Sequence, residues 1–124
     1  MRITEAEAKV MEALWRESPL TAEQVIAEVA AGEGWSETTV KTLLGRLLAK
    51  KAIAAKRDGR RYLYRPRIER EAYVAAESRY LLDRLFAGKL APFIAQFSEK
   101  HDLSKQEIEE LRKLVAKLKS GSEK

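Results

Sequence analysis

Ser36-Glu37-Thr38-Thr39-Val40-Lys41-Thr42-Leu43-Leu44-Gly45-Arg46-Leu47-Leu48-Ala49-Lys50 is the stretch whose reading decides the fold. Val40, Leu43, Leu44, Leu47 and Leu48 follow i, i+3, i+4, i+7 and i+8, a full apolar stripe that predicts a helix over about 37–50. Ser36 can cap its start. The opposite face is Thr38, Lys41, Thr42, Gly45, Arg46 and Ala49: hydroxyls, two cations and two small residues, with no acid. A merely solvated face mixes Glu with Lys and avoids glycine, which costs about 1 kcal/mol against alanine in a helix. This face suits close approach to something large and anionic.

Downstream the period changes from helical to strand-like. Ile53-Ala54-Ala55-Lys56-Arg57 and Arg60-Arg61-Tyr62-Leu63-Tyr64 flank Asp58-Gly59, a dipeptide expected to form the tight turn of a hairpin. Lys56, Arg57, Arg60 and Arg61 surround that turn, and Pro66 ends the paired ladder. Upstream, Thr4 with Glu7 and Thr21 with Gln24 form capping boxes that open helices over about 5–16 and 22–31. Ser18-Pro19 stops the first, and Gly32 and Gly34 end the second.

Three helices followed by a basic hairpin predict a winged helix-turn-helix over 1–67, within a mainly α chain. In that design helix 36–50 enters the major groove and the wing, 53–65, reaches the flanking backbone or minor groove. Arg46 can bond a guanine edge, Thr38 and Thr42 can meet bases, and Lys41 a phosphate. The charge agrees. Residues 36–67 hold ten Lys/Arg against Glu37 and Asp58, whereas residues 1–35 hold three bases and seven acids. A basic block of this kind implies a polyanionic partner.

The whole chain is 124 residues with a formal charge of +5, which leaves no room for a large enzyme core. Zero cysteines exclude disulfides and thiolate metal sites, and His101, the one histidine, reads as a loop residue rather than a ligand. No cofactor, metal or enzymatic activity is expected. The polar N-terminus and the short apolar runs predict neither a signal peptide nor a membrane span, so the expected location is the cytoplasm.

Residues 68–124 read as a separate helical region. Helices are predicted over about 69–87, ending at Gly88, over 90–97, and over 105–118 behind a third capping box, Ser104 with Glu107; 119–124 reads as a frayed tail. Tyr73, Tyr80, Leu81, Leu85, Ile108, Leu111, Leu114 and Val115 carry more apolar surface than so small a unit can bury. A homodimer of interlocked helices would cover it and present two reading heads to a palindromic site. The alternative from another class is a helical dimeric adaptor that binds no DNA.

The stretch Gly34 to Leu47, Lys50-Lys51, Asp58-Gly59-Arg60 and Tyr64-Arg65-Pro66 resembles the penicillinase-repressor family of BlaI/MecI/CopY-type regulators. So do Phe97-Ser98-Glu99-Lys100 and Asp102-Leu103-Ser104 with Glu107 to Leu111, and the likeness runs from about Ile3 to Leu118. It implies a dimeric winged-helix repressor on an operator dyad, with Thr38, Thr39, Thr42 and Arg46 at DNA-contacting positions. It further implies induction by proteolysis at the bond matching Gln96–Phe97, through a membrane protease receptor; the alternative is a core Phe97 and induction by a ligand or partner. Thr38 stands where some members carry lysine, Gln96 where the best-known members have asparagine, and Ala52 where the family usually has glycine. The cysteine cluster of the copper-responsive branch is missing.

Overall fold

A computed structural model describes residues 2–99 and 103–122, with side chains as far as Ser120; His101 and the last two residues lie outside this range. The element order is α1 (Glu5–Arg16), α2 (Ala22–Glu33), α3 (Glu37–Ala49), β1 (Ile53–Asp58), β2 (Arg61–Pro66), α4 (Arg70–Phe86), α5 (Leu90–Glu99) and α6 (Lys105–Ser122). This is the mainly helical architecture with a hairpin wing that the sequence predicts. Packing divides the chain inside α4, into Met1–Ala76 and Glu77–Lys124, beyond the Arg67 boundary drawn from the sequence.

The first unit is built on helix starts that satisfy their own backbone. Thr4 and Thr21 accept from Glu7 and Gln24 N–H groups at 3.2 Å, and both glutamyl and glutaminyl side chains answer at 2.8 Å. Both expected capping boxes are formed. α2 ends at Gly34, which lacks a Cβ and so takes the left-handed φ of +71° without steric cost, whereas Gly32 stays inside the helix. Val10 and Leu14 of α1, Val25 and Val29 of α2, and Val40, Leu43, Leu44 and Leu47 of α3 make the core, closed by Ala52 and Ile53. Each of these last four α3 residues belongs to the apolar stripe read from the sequence.

α3 ends in a Schellman motif. Ala52 N–H donates to Leu47 O and Lys51 N–H to Leu48 O, both at 3.0 Å, with Lys51 in the left-handed region at φ +63°. The buried Ala52 is the apolar residue that seals this cap. Lysine thus occupies the strained position, one residue earlier than the glycine of the family pattern.

β1 and β2 pair antiparallel from Ile53↔Pro66 to Asp58↔Arg61. The two-residue loop is therefore Gly59-Arg60, not the expected Asp58-Gly59. Positive φ falls at Gly59 (+67°) and not at Arg60, which is the requirement of a type II′ turn and puts Asp58 in the closing pair. A one-residue third strand joins the wing: Leu20 N–H donates to Tyr64 O at 3.0 Å and Tyr64 N–H to Leu20 O at 2.7 Å.

In the second unit, α4 runs to Phe86, and Ala87 (φ +52°) and Gly88 (φ +78°) turn the chain into α5. Phe86, Phe93 and Phe97 stack edge to face with centroids 5.6 and 5.0 Å apart. Glu107 N–H donates to Ser104 Oγ at 3.1 Å, so the hydroxyl of the third cap is in use. α6 continues through Ser122, which corrects the frayed tail expected from Lys119 onward.

Candidate nucleic-acid interface

α3 presents two faces because its apolar stripe is consumed by the core. Thr38, Lys41, Thr42, Gly45, Arg46 and Ala49 are all exposed. Among the described residues, Thr38, Lys41, Thr42 and Arg46 make no side-chain hydrogen bond or ion pair, so these donors are free for an external ligand. Thr39 differs. Its hydroxyl lies 3.1 Å from Ser36 Oγ, and its N–H donates to that same oxygen at 3.2 Å, so Thr39 is part of the helix cap.

A Cβ added at Gly45 would meet nothing within 4 Å. No neighbour inside the fold therefore requires glycine there, in the middle of a helix where glycine is unfavourable.

The wing places Lys56, Arg57, Arg60 and Arg61 on exposed backbone. Arg57 Nε donates to Gly59 O at 3.0 Å while its guanidinium lies 6.0 Å from the Tyr62 ring centroid. Arg61 donates to Asp58 Oδ2 at 3.3 and 3.2 Å. Lys56 and Arg60 have no such partner among the described residues.

The first unit is tied together by contacts between residues distant in sequence. Glu7 is 1% exposed and accepts from Lys50 Nζ, which also donates to Arg2 O at 2.8 Å. Burial pushes the Glu7 carboxyl up, but hydrogen bonds from Lys50 and Thr4 and the Lys50 charge outweigh it and hold it below its ordinary value. Trp15 Nε1 donates to Ile68 O at 2.9 Å, and Arg70 pairs with Glu12 at 3.0 Å. The capping-box glutamate was the one visible signal for the first contact; nothing in the periodicity marks the other two.

Of the residues expected at a dimer interface, Tyr73 is half-buried. It packs on Trp15 with ring centroids 5.4 Å apart, in the first unit, so part of its surface is covered within one chain. Tyr80, Leu85, Ile108, Leu114 and Val115 are exposed, and Leu81 and Leu111 half-buried. Tyr80 also carries Arg84 over its ring at 5.4 Å. Gln96 and Phe97 lie in the last turn of α5, which extends to Glu99, past the expected end. No group of His, Cys, Asp and Glu suited to a metal occurs among the described residues, and no helix there is long and apolar enough to cross a membrane.

Comparison with known proteins places this geometry. The penicillinase repressor of Bacillus licheniformis is 33% identical over 119 residues, 96% of this chain and 93% of that one. The methicillin resistance regulatory protein MecI of Staphylococcus aureus (strain N315) is 32% identical over 115 residues, covering 93% and 94%. The solution structure of the Bacillus licheniformis BlaI monomeric form in complex with the blaP half-operator matches 59% of this chain and 89% of its own, with 34% identity and a TM-score of 0.53. Residues 3–117 match the family profile described as penicillinase repressor, and the chain belongs to that family.

Proposed function

We propose that this chain is a cytoplasmic transcriptional repressor that binds a palindromic operator in double-stranded DNA as a homodimer. The observation that carries the reading is the outer face of α3: exposed, free of acid, and furnished with Thr38, Lys41, Thr42 and Arg46, none of which is used inside the fold. In the major groove Arg46 is the reader of a guanine edge, the threonines meet bases, and Lys41 and the unpaired wing cations Lys56 and Arg60 meet phosphates. The solved complex of the relative BlaI with a half-operator supports this use of the fold. Exposed Leu85, Ile108, Leu114, Val115 and Leu118 support a second copy as the cover for the C-terminal helices.

Titration of the intact chain against a duplex from its own upstream region and a random duplex, at two salt concentrations, tests this. A repressor making 6–10 phosphate contacts loses about 10³–10⁵ in affinity between 50 and 200 mM salt. Binding that is absent, or indifferent to salt, would instead make the chain a helical adaptor. Sedimentation at micromolar concentration reads the dimer directly.

Release of the operator by cutting Gln96–Phe97, through a membrane protease receptor, completes the proposal. The bond lies in the final turn of a short helix, where local opening is least costly, and Phe97 is the outer ring of the aromatic stack. Mass spectrometry of the chain from induced cells checks it; an intact chain under full derepression would leave ligand or partner binding as the route.

A further inference from the structure

The contacts at the wing tip divide its cations into paired and unpaired ones. Gly59-Arg60 is the loop itself, so Arg60 stands at the furthest point of the hairpin, exposed and without an intrachain partner among the described residues. Arg61 is in the closing pair, with both Nε and Nη2 on Asp58 Oδ2. Asp58 is the wing's single acid, and it sits one residue from the turn. At a polyanion its charge would oppose every nearby phosphate. Arg61 lies directly across from it and forms a neutral pair. Arg57 is also occupied, on the turn carbonyl of Gly59 and the Tyr62 ring.

We infer that Arg60 is the phosphate ligand of the wing tip, and that Arg61 is a positioning residue that cancels Asp58 rather than touching DNA. This rests on the DNA-binding reading above. An exposed ion pair adds little to folding, so the value of Asp58–Arg61 lies in the field it presents to the duplex. The two arginines, adjacent in sequence and alike in composition, then differ in what their loss does. Loss of Arg60 removes one counterion-releasing contact. Loss of Arg61 uncovers a negative charge.

The test is salt-dependent binding of a random duplex to the full chain as wild type, Arg60→Ala, Arg61→Ala, Asp58→Asn and the Asp58→Asn/Arg61→Ala double variant. Asparagine keeps the shape of the aspartate and removes its charge. Arg60→Ala is expected to lower the slope of log affinity against log salt by about one, in either background. Arg61→Ala is expected to weaken binding, and Asp58→Asn to restore it to about the wild-type value. A loss at Arg61 that persists undiminished in the Asp58→Asn background makes Arg61 a direct ligand and overturns the inference. So does an Arg60→Ala slope equal to wild type. A wild-type chain that shows no salt-dependent affinity overturns the DNA-binding reading as well, which separates the two failures. Melting curves of each variant, with Arg61→Gln as a second replacement that keeps the side-chain stem, confirm that folded proteins are compared.

Discussion

Lys50, the residue that ends α3, donates its ammonium to the carboxylate of Glu7 in the first turn of α1. The contact ties the end of α3 to the start of the chain's first helix, and Glu7 serves the Thr4 cap with the same carboxylate. Replacing Glu7 by Gln leaves the Lys50 charge without its partner and is expected to cost about 2–3 kcal/mol of stability, read by chemical denaturation. Because the folded carboxyl titrates below its unfolded value, its contribution is present in full above the unfolded pKa and is lost as pH falls through the folded one. Stability of the native chain should therefore fall below about pH 4 more steeply than that of Glu7→Gln.

Arg46→Ala is expected to lose roughly 1–3 kcal/mol at the operator and to flatten the preference for one base pair, while random duplex is bound nearly as before. Competition binding against single-base variants of the operator checks it. Unchanged specific affinity in a folded variant would remove α3 from the role of reader.

Gly45→Ala separates folding from binding. The open space around position 45 means the methyl group meets no neighbour, so the free protein should gain up to about 1 kcal/mol and melt higher. Operator affinity is expected to fall, since the same methyl would stand between the helix and the groove. A variant that is both more stable and equally tight would show that the duplex does not approach α3 at this point.

A fragment ending at Ala76 is expected to fold as a monomer and to bind operator far more weakly than the full chain, having lost its second half-site. A fragment ending at Arg67 should melt lower than the 1–76 fragment. It discards the Ile68 carbonyl that accepts from Trp15, the Arg70–Glu12 pair and the Tyr73 ring. Circular dichroism melts of the two fragments decide the order.

Helices and hairpin were legible because their signals are local. The i, i+3, i+4 stripe of Val40 to Leu47 and the Thr4 and Thr21 caps involve residues within one or two turns of each other. The turn centre was misread by one residue because Asp-Gly and Gly-Xaa loops both satisfy a hairpin, and only the register Asp58↔Arg61 distinguishes them. The exposure of Thr38, Lys41, Thr42 and Arg46 was legible for the same reason as the core of α3. What lay beyond reach depends on pairs distant in sequence: Leu20 with Tyr64, Trp15 with Ile68 and Tyr73, and Glu7 with Lys50. Tyr73 in particular looks like surplus apolar surface until Trp15 is seen beside it.

The bridge between Leu20 and Tyr64 has a consequence for how this winged unit can vary. Two backbone hydrogen bonds, independent of side-chain identity, fix the register between the α1–α2 connection and the middle of β2. Length changes in Ser18–Thr21 would pull that register apart, whereas residues added between Gly59 and Arg60 would only lengthen an exposed loop. Related chains should therefore differ in wing length far more readily than in the spacing between their first two helices.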